Sequence, residues 1–429
     1  MKRFLFAVVE GGGNSPPVLG LAQRLAARGH QVRVLGDPAL APDAEKQGLT
    51  LVPFVHAPHH NVRSRHHDRL RDWAVSNPLG QLARITSQVM FEPAGAYARD
   101  VLDELQRFDA DVVVVDYLAL GAALGAEKAG LPSALLMHTP YPLPAVGAPP
   151  FGLGLMPARG PLGALRDRLL RGFSRWFFNR LGLAPINAAR VALGLPALRD
   201  VFDQIARSER LLVMTSAAFD YASRAALPDS VRYVGPGLDD PGWTASYVPP
   251  AALTGTAPLV VVGLGSTFQN QGALTARVIE ALGVLPVRGL VTLGDVFDPA
   301  EFQAPANVAL VRSAPHRVVF PEANLVVAHG GHGTVMKALS HGVPVLCLPL
   351  GRDQHDNAAR VAYSGAGLRL SPTASASRIR RAIERMLGEP MFRSRAAELA
   401  HAIADERAVD RAVLELEALS ERRALPAVA

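Results

Sequence analysis

Apolar and polar positions along the chain repeat in one order: a short continuous hydrophobic run, a glycine-rich turn, then a stretch with helical spacing. RFLFAVVE leads into GGGNSPP and VLGLAQRLAARG, which closes on Gly29 before HQVRVLG. The rhythm continues through LTLVPFV, a helical region around residues 79–107, DVVVVD, ALGAALGAEKAG and PSALLMH. Continuous apolar runs mark strands buried on both faces, and their alternation with helices predicts an α/β fold with a doubly wound parallel sheet. Ligands of such sheets gather beyond the carboxyl ends of the strands. That rim would carry the turn at 11–17, the histidine-rich loop 56–67, Asp116 and His138.

Residues 140–160 are rich in Pro and Gly and read as a loop. PLGALRDRLLRGFSRWFFNRLG follows, a basic helix carrying Trp176, Phe177 and Phe178. Its aromatic face is expected to pack on the first domain or cover a cleft; a membrane-surface helix is the other reading. After RLLVMTS and VRYVGP, the proline-rich LDDPGWTASYVPPAALTGTAP breaks the pattern, and the rhythm restarts at LVVVGLGS. The expected division is an acceptor-side domain at 1–237, a linker at 238–257, a second domain at 258–404, and 405–429 as a helix returning to the first domain plus a tail.

Composition narrows this picture. A chain of 429 residues is too long for one ordinary core, which supports two domains. Its 49% apolar and 19% charged content is that of a globular protein, and a net charge of +6 is modest for the size. No basic–aromatic cluster points to nucleic acid. The one cysteine, Cys347, sits in an apolar run, so an intrachain disulfide and a cysteine zinc cluster are excluded. The N-terminal apolar run lacks a cleavage pattern and reads as the first strand. No run reaches transmembrane length. These readings together point to the cytoplasm.

Chemistry concentrates at residues 325–357, LVVAHGGHGTVMKALSHGVPVLCLPLGRDQHDN. This is strand, glycine turn, helix, strand and polar loop. Backbone N–H groups and the helix dipole at HGGHGT suit a phosphate. GLGSTF, with Ser266 and Thr267, and RSAPH, with Ala314 and His316, end other strands on the same rim. GRDQ adds Asp353 and Gln354, whose side chains suit sugar hydroxyls.

HGGHGT…GVPVLCLPLGRDQHDNA resembles the signature of the family-one glycosyltransferases, the GT-B enzymes that include macrolide and plant secondary-metabolite glycosyltransferases. GNSPPVLGLAQRLAARGHQVRVL resembles their first turn and helix, so the likeness spans nearly the whole chain. It implies two Rossmann-like domains facing a cleft. It also implies an inverting, metal-independent transfer from a nucleoside-diphosphate sugar, with no further cofactor, to a small hydrophobic natural product. By the same resemblance His329 contacts the diphosphate, with Gly331, Gly333 and Thr334 at the helix head and Ser266 and Thr267 opposite. Ala314 and His316 frame the base, and Asp353 and Gln354 hold the sugar. Asp116 takes the place of the acidic partner of the catalytic histidine.

Two positions depart from the family pattern. Asn14 stands where the catalytic histidine belongs, and an amide accepts no proton. Lys337 stands where many relatives have Glu on the ribose hydroxyls, which tilts the donor toward a dTDP-sugar, although Lys could equally point to solvent. For the missing base, Asp116 with Asn14 as a positioning group is preferred. His138, or an acceptor needing little help, are the alternatives. Two functional alternatives stand beside the main reading: a membrane-peripheral enzyme with a lipid acceptor, and an impaired homologue acting as a partner protein. A homodimer is left open. Three blander readings carry less: GGGNSPP lacks the third spaced glycine of a dinucleotide loop, histidines 56, 59, 60, 66 and 67 have no interleaved carboxylate for a metal, and Asp116 alone would be a strand-end cap.

Overall fold

The computed structural model describes residues 1–61, 70–75, 77–240 and 247–422. Its first sheet contains β1 (Arg3–Val8), β2 (Gln31–Gly36), β3 (Thr50–Pro53), β4 (Val112–Asp116), β5 (Ser133–Met137), β6 (Arg210–Val213) and β7 (Val231–Tyr233). The second contains β8 (Leu259–Gly263), β9 (Arg288–Thr292), β10 (Val308–Val311), β11 (Leu325–Ala328), β12 (Val345–Cys347) and β13 (Gly367–Arg369). Spatial orders are β3-β2-β1-β4-β5-β6-β7 and β10-β9-β8-β11-β12-β13. Every pairing is parallel, as the continuous apolar runs predict. β4 and β11 are buried at every position because helices cover both faces of each sheet. Winding reverses between β1 and β4 and between β8 and β11, so each domain has one crevice at its strand ends.

The chain crosses between domains twice. The first crossing includes Asp239 and Asp240, which pair with Arg24 of one domain and Lys337 of the other. Part of that linker, 241–246, and His66 and His67 of the histidine-rich loop lie outside the described residues. The second crossing ends in the helix Arg411–Arg422. Ala412, Val413, Leu416 and Leu419 enter the core under β1 and the helix Ser15–Ala27. Arg28–Glu417 and Arg210–Glu415 ion pairs border that contact. Ion pairs screened by solvent in this way add little, so burial of the apolar face holds the helix down.

Two helical expectations change. The region expected at 79–107 is a helix Pro78–Ile85, a π-helical turn Thr86–Phe91 and a helix Ala94–Leu105, interrupted at Pro93, which lacks the N–H a continuous helix needs. The basic helix runs from Gly160 to Ala192, and its two halves differ. The second half is anchored. A Cβ on Gly182 would stand 2.4 Å from the Phe91 ring, so only glycine permits that approach. Buried Arg190 binds Glu127 at 2.7 and 3.0 Å. The aromatic residues divide between the domain and the outer face. Phe178 meets Phe202, but Phe173 and Trp176 are exposed. Helical spacing reveals that a stripe exists; it says nothing of what the stripe meets.

Candidate active site

Strand register assembles the acceptor side. Ala7 pairs with Val115, and Asp116 pairs with Leu136, so the chain leaving β1, β4 and β5 brings Asn14, Asp116 and His138 together. Asn14 sits where an asparagine usually caps a helix, before Ser15–Ala27, yet its side chain makes no cap. Instead Nδ2 donates to Asp116 Oδ2 and to Val9 O, each at 2.7 Å. Both partners are acceptors, which fixes the orientation of the amide. Asn14 Oδ1, also buried, has no hydrogen-bond partner among the described residues.

Asp116 is fully buried and accepts from three donors. His138 Nε2 lies 3.0 Å from Oδ1, and Leu118 N donates to the same oxygen at 3.0 Å. The carboxylate is therefore a cap for the turn Tyr117–Ala119 and the hub of the cluster at once. His138 packs against Tyr117, with ring centroids 4.9 Å apart. Burial, then Asp353 from the second domain, then Asp116 push the Tyr117 phenol above its usual range. Two carboxylates from opposite domains thus act on one side chain.

The donor side forms at the ends of β8 and β11. Gly331 precedes the helix His332–Ser340, whose first turn carries Gly333 and Thr334. His329 Nδ1 lies 3.3 Å from Gly263 O, which requires the proton on Nδ1. Burial lowers the His329 pKa, leaving Nε2 unprotonated at neutral pH. His316 stacks on Phe320 at 4.3 Å, and burial followed by the Lys337 charge drives its pKa down to about 3. Ala314 is buried just before it. Lys337 does not reach solvent: Nζ donates to Asp240 at 2.8 Å, with both side chains 11% exposed.

Asp353 and Gln354 part company. Gln354 Oε1 accepts from Leu350 N and Gly351 N at 2.8 and 3.1 Å, and Nε2 donates to Gln269 at 2.7 Å. Its amide helps to build the loop. Asp353 is only partly buried, accepts from Asn357 at 2.7 Å, and acts across the cleft on Tyr117.

The domains are closed on each other. A Cβ on Gly12, at φ +89°, would stand 2.9 Å from Thr267 Cγ2 and 3.0 Å from Ser266 Oγ, so the first turn lies directly on the donor loop. Arg352, at φ +55°, grips Asp72 through two bonds of 2.8 and 3.0 Å and donates to Thr267 at 3.1 Å. His332 Nε2 meets Thr215 Oγ1 at 2.8 Å. Arg360 donates to Asp220 at 2.9 Å and covers the Tyr221 ring at 4.1 Å. Apart from Ser266 and Thr267, these closing residues were not singled out from sequence. The second histidine of HGGHGT and the arginine of GRDQ were visible there, but nothing local pairs them with Thr215 and Asp72.

His56 and His59 bond locally, to Asp103 and Ala57 O. Among the described residues, no group of three His, Cys, Asp or Glu side chains is gathered as for a metal, and no helix is long and apolar enough to cross a membrane.

Comparison with known proteins agrees with this architecture. Residues 276–419 match the family described as erythromycin biosynthesis protein CIII-like, C-terminal domain. Over 424 residues the chain is 32% identical to 4'-demethylrebeccamycin synthase of Lentzea aerocolonigenes, covering 97% of this chain and 99% of that protein. The glycotransferase of kitacinnamycin shares the fold at a TM-score of 0.76 and 22% identity, covering 97% and 98% of the two chains. A spinosyn rhamnosyltransferase complexed with thymidine diphosphate does so at 0.66 and 20% identity, covering 96% and 100%. The signature at 325–357, two facing doubly wound sheets and a full-length relative converge: the chain belongs to the family-one, GT-B glycosyltransferases of natural-product biosynthesis.

Proposed function

We propose that the protein transfers a sugar, with inversion and without a metal, from a dTDP- or UDP-sugar to a hydroxyl of a small hydrophobic natural product in the cytoplasm. The observation that carries this reading is the cluster Asn14–Asp116–His138 standing across a closed cleft from Asp353 and the head of the helix His332–Ser340. A nucleophile activated on one side of the cleft and a leaving group held on the other favour in-line displacement, which inverts the anomeric carbon.

The residues divide the work. His138, donating Nε2–H to Asp116, keeps a lone pair on Nδ1 and takes the acceptor proton; Asp116 stabilises the imidazolium that forms. Asp116 has three donors on its two oxygens, which favours His138 over Asp116 acting alone. Asn14 holds Asp116 through Nδ2 and so keeps the carboxylate oriented toward His138. The acceptor oxygen bonds to the anomeric carbon as the bond to the diphosphate breaks. N–H groups of Gly333 and Thr334, with His329, Ser266 and Thr267, receive the charge on the leaving diphosphate. Asp353 binds sugar hydroxyls, while Ala314 and His316 frame the base. The fold neighbour bound to thymidine diphosphate supports a nucleotide in this place.

The test is thermal-shift titration with UDP, dTDP and GDP, then transfer from the matching sugar with and without EDTA. One nucleotide should raise the Tm, since ligand bound to the folded state stabilises it. No shift with any of the three removes the proposal.

A further inference from the structure

The first half of the helix Gly160–Ala192 turns an apolar face outward. Leu162, Leu165, Leu169, Phe173 and Trp176 are 82%, 51%, 65%, 40% and 60% exposed. Their spacing of three, four, four and three residues puts them on a single stripe. The opposite side of the helix, with Gly163, Asp167, Leu170, Ser174 and Phe178, faces the domain. A continuous exposed apolar stripe of this kind marks a docking surface.

Charge identifies the occupant. Residues 159–192 contain seven arginines and one acidic residue, Asp167, which is buried against the domain and bound by Arg166. Arg159 and Arg180 lie exposed at the two ends of the stripe, and Arg168 runs along one flank beside Arg175, which binds Asp200. The carboxylates beside the stripe, Asp167 and Asp200, are already bound to Arg166 and Arg175, so a second copy of the chain would set Arg159, Arg168 and Arg180 against each other. An anionic lipid surface offers both an apolar layer for the stripe and phosphates for the arginines.

We propose that this helix docks the protein peripherally on anionic membranes, with the leucines, Phe173 and Trp176 inserted at the headgroup boundary and the arginines on lipid phosphates. The proposal does not depend on the donor, the acceptor or the catalytic base.

The test is co-sedimentation of the full chain with phosphatidylcholine vesicles, with and without phosphatidylglycerol. Wild type should bind the anionic vesicles at low salt, release at high salt, and leave the neutral ones. Leu169→Glu with Phe173→Glu should abolish binding while transfer to a soluble acceptor is unchanged, because both side chains already face water. Arg168→Glu with Arg180→Glu should weaken binding by at least about tenfold, each arginine near such a surface contributing roughly fivefold. Failure of wild type to bind, or equal binding by either variant, overturns the proposal. So does a wild-type dimer in sedimentation velocity that Leu169→Glu with Phe173→Glu makes monomeric, since a second copy would then own the face.

Discussion

Asn14 Nδ2 donates to Asp116 Oδ2 at 2.7 Å across 102 residues of sequence. The family resemblance puts a catalytic histidine at this asparagine. Here the same carboxylate is retained, and a histidine reaches its other oxygen from the end of β5. Asp116→Asn preserves shape but presents an amide where Asn14 and His138 both donate. The expected result is a fall in kcat of about 100- to 10,000-fold, with nucleotide affinity intact by calorimetry. Turnover near wild type under donor saturation would take Asp116 out of the mechanism.

His138→Gln should remove the ascending limb of the pH–rate profile along with most of kcat. Asn14→Ala should cost less, about tenfold, because it loosens a positioned carboxylate without deleting the base. The telling variant is Asn14→His in the His138→Gln background. A second histidine on the same carboxylate should recover part of kcat and bring back the pH limb. Recovery without the limb would mean that neither histidine takes the proton.

His329 links donor binding to pH. Its pKa is lowered in the free protein by burial, and Nδ1–H is committed to Gly263 O. To donate from Nε2 to a diphosphate the ring must take up a proton, and the bound anion raises its pKa. Nucleotide diphosphate affinity should therefore fall as pH rises from the lowered pKa of the free protein through the raised pKa of the complex. Calorimetry in buffers of different ionisation enthalpy should report proton uptake, and His329→Asn should abolish it.

Asp356 gives the stability of the protein a pH dependence. Burial raises its carboxyl pKa to about 7, although Gly152 N donates to it at 2.8 Å. The folded state then binds more protons than the unfolded state between roughly pH 4 and pH 7, so this residue's contribution to stability falls as pH rises through that window. Asp356→Asn should flatten that part of the profile in urea unfolding and stabilise the protein at pH 8 relative to wild type. An unchanged difference between pH 5 and pH 8 would refute the assignment.

Asp72 tests the closing contact. Its side chain is 2% exposed and is held by Arg352. Arg352→Gln leaves that carboxylate buried without its charge partner and should cost about 3–5 kcal/mol of stability. Asp72→Asn should cost less. Both should raise the donor KM more than they lower kcat, because Arg352 also bonds Thr267 in the donor loop.

The donor half was legible in the chain itself. HGGHGT and GRDQ are contiguous, and their glycines, helix pattern and flanking apolar runs dictate a local strand–turn–helix whose shape needs few distant partners. Continuous runs such as VVVVD likewise announced buried parallel strands, and two such series with a proline-rich break announced two sheets.

Tertiary structure decided the rest. Asn14, Asp116 and His138 meet only because β1, β4 and β5 lie side by side in register, and no periodicity encodes which strands become neighbours. Nothing in the sequence told that Leu350 N, Gly351 N and Gln269 would gather on the Gln354 amide. The stripe from Leu162 to Trp176 was visible as spacing, but the side of the helix that faced the domain depended on where Phe91, Phe202 and Arg190 anchored its other half. Local pattern determines what a segment can form; burial and strand order determine what it touches.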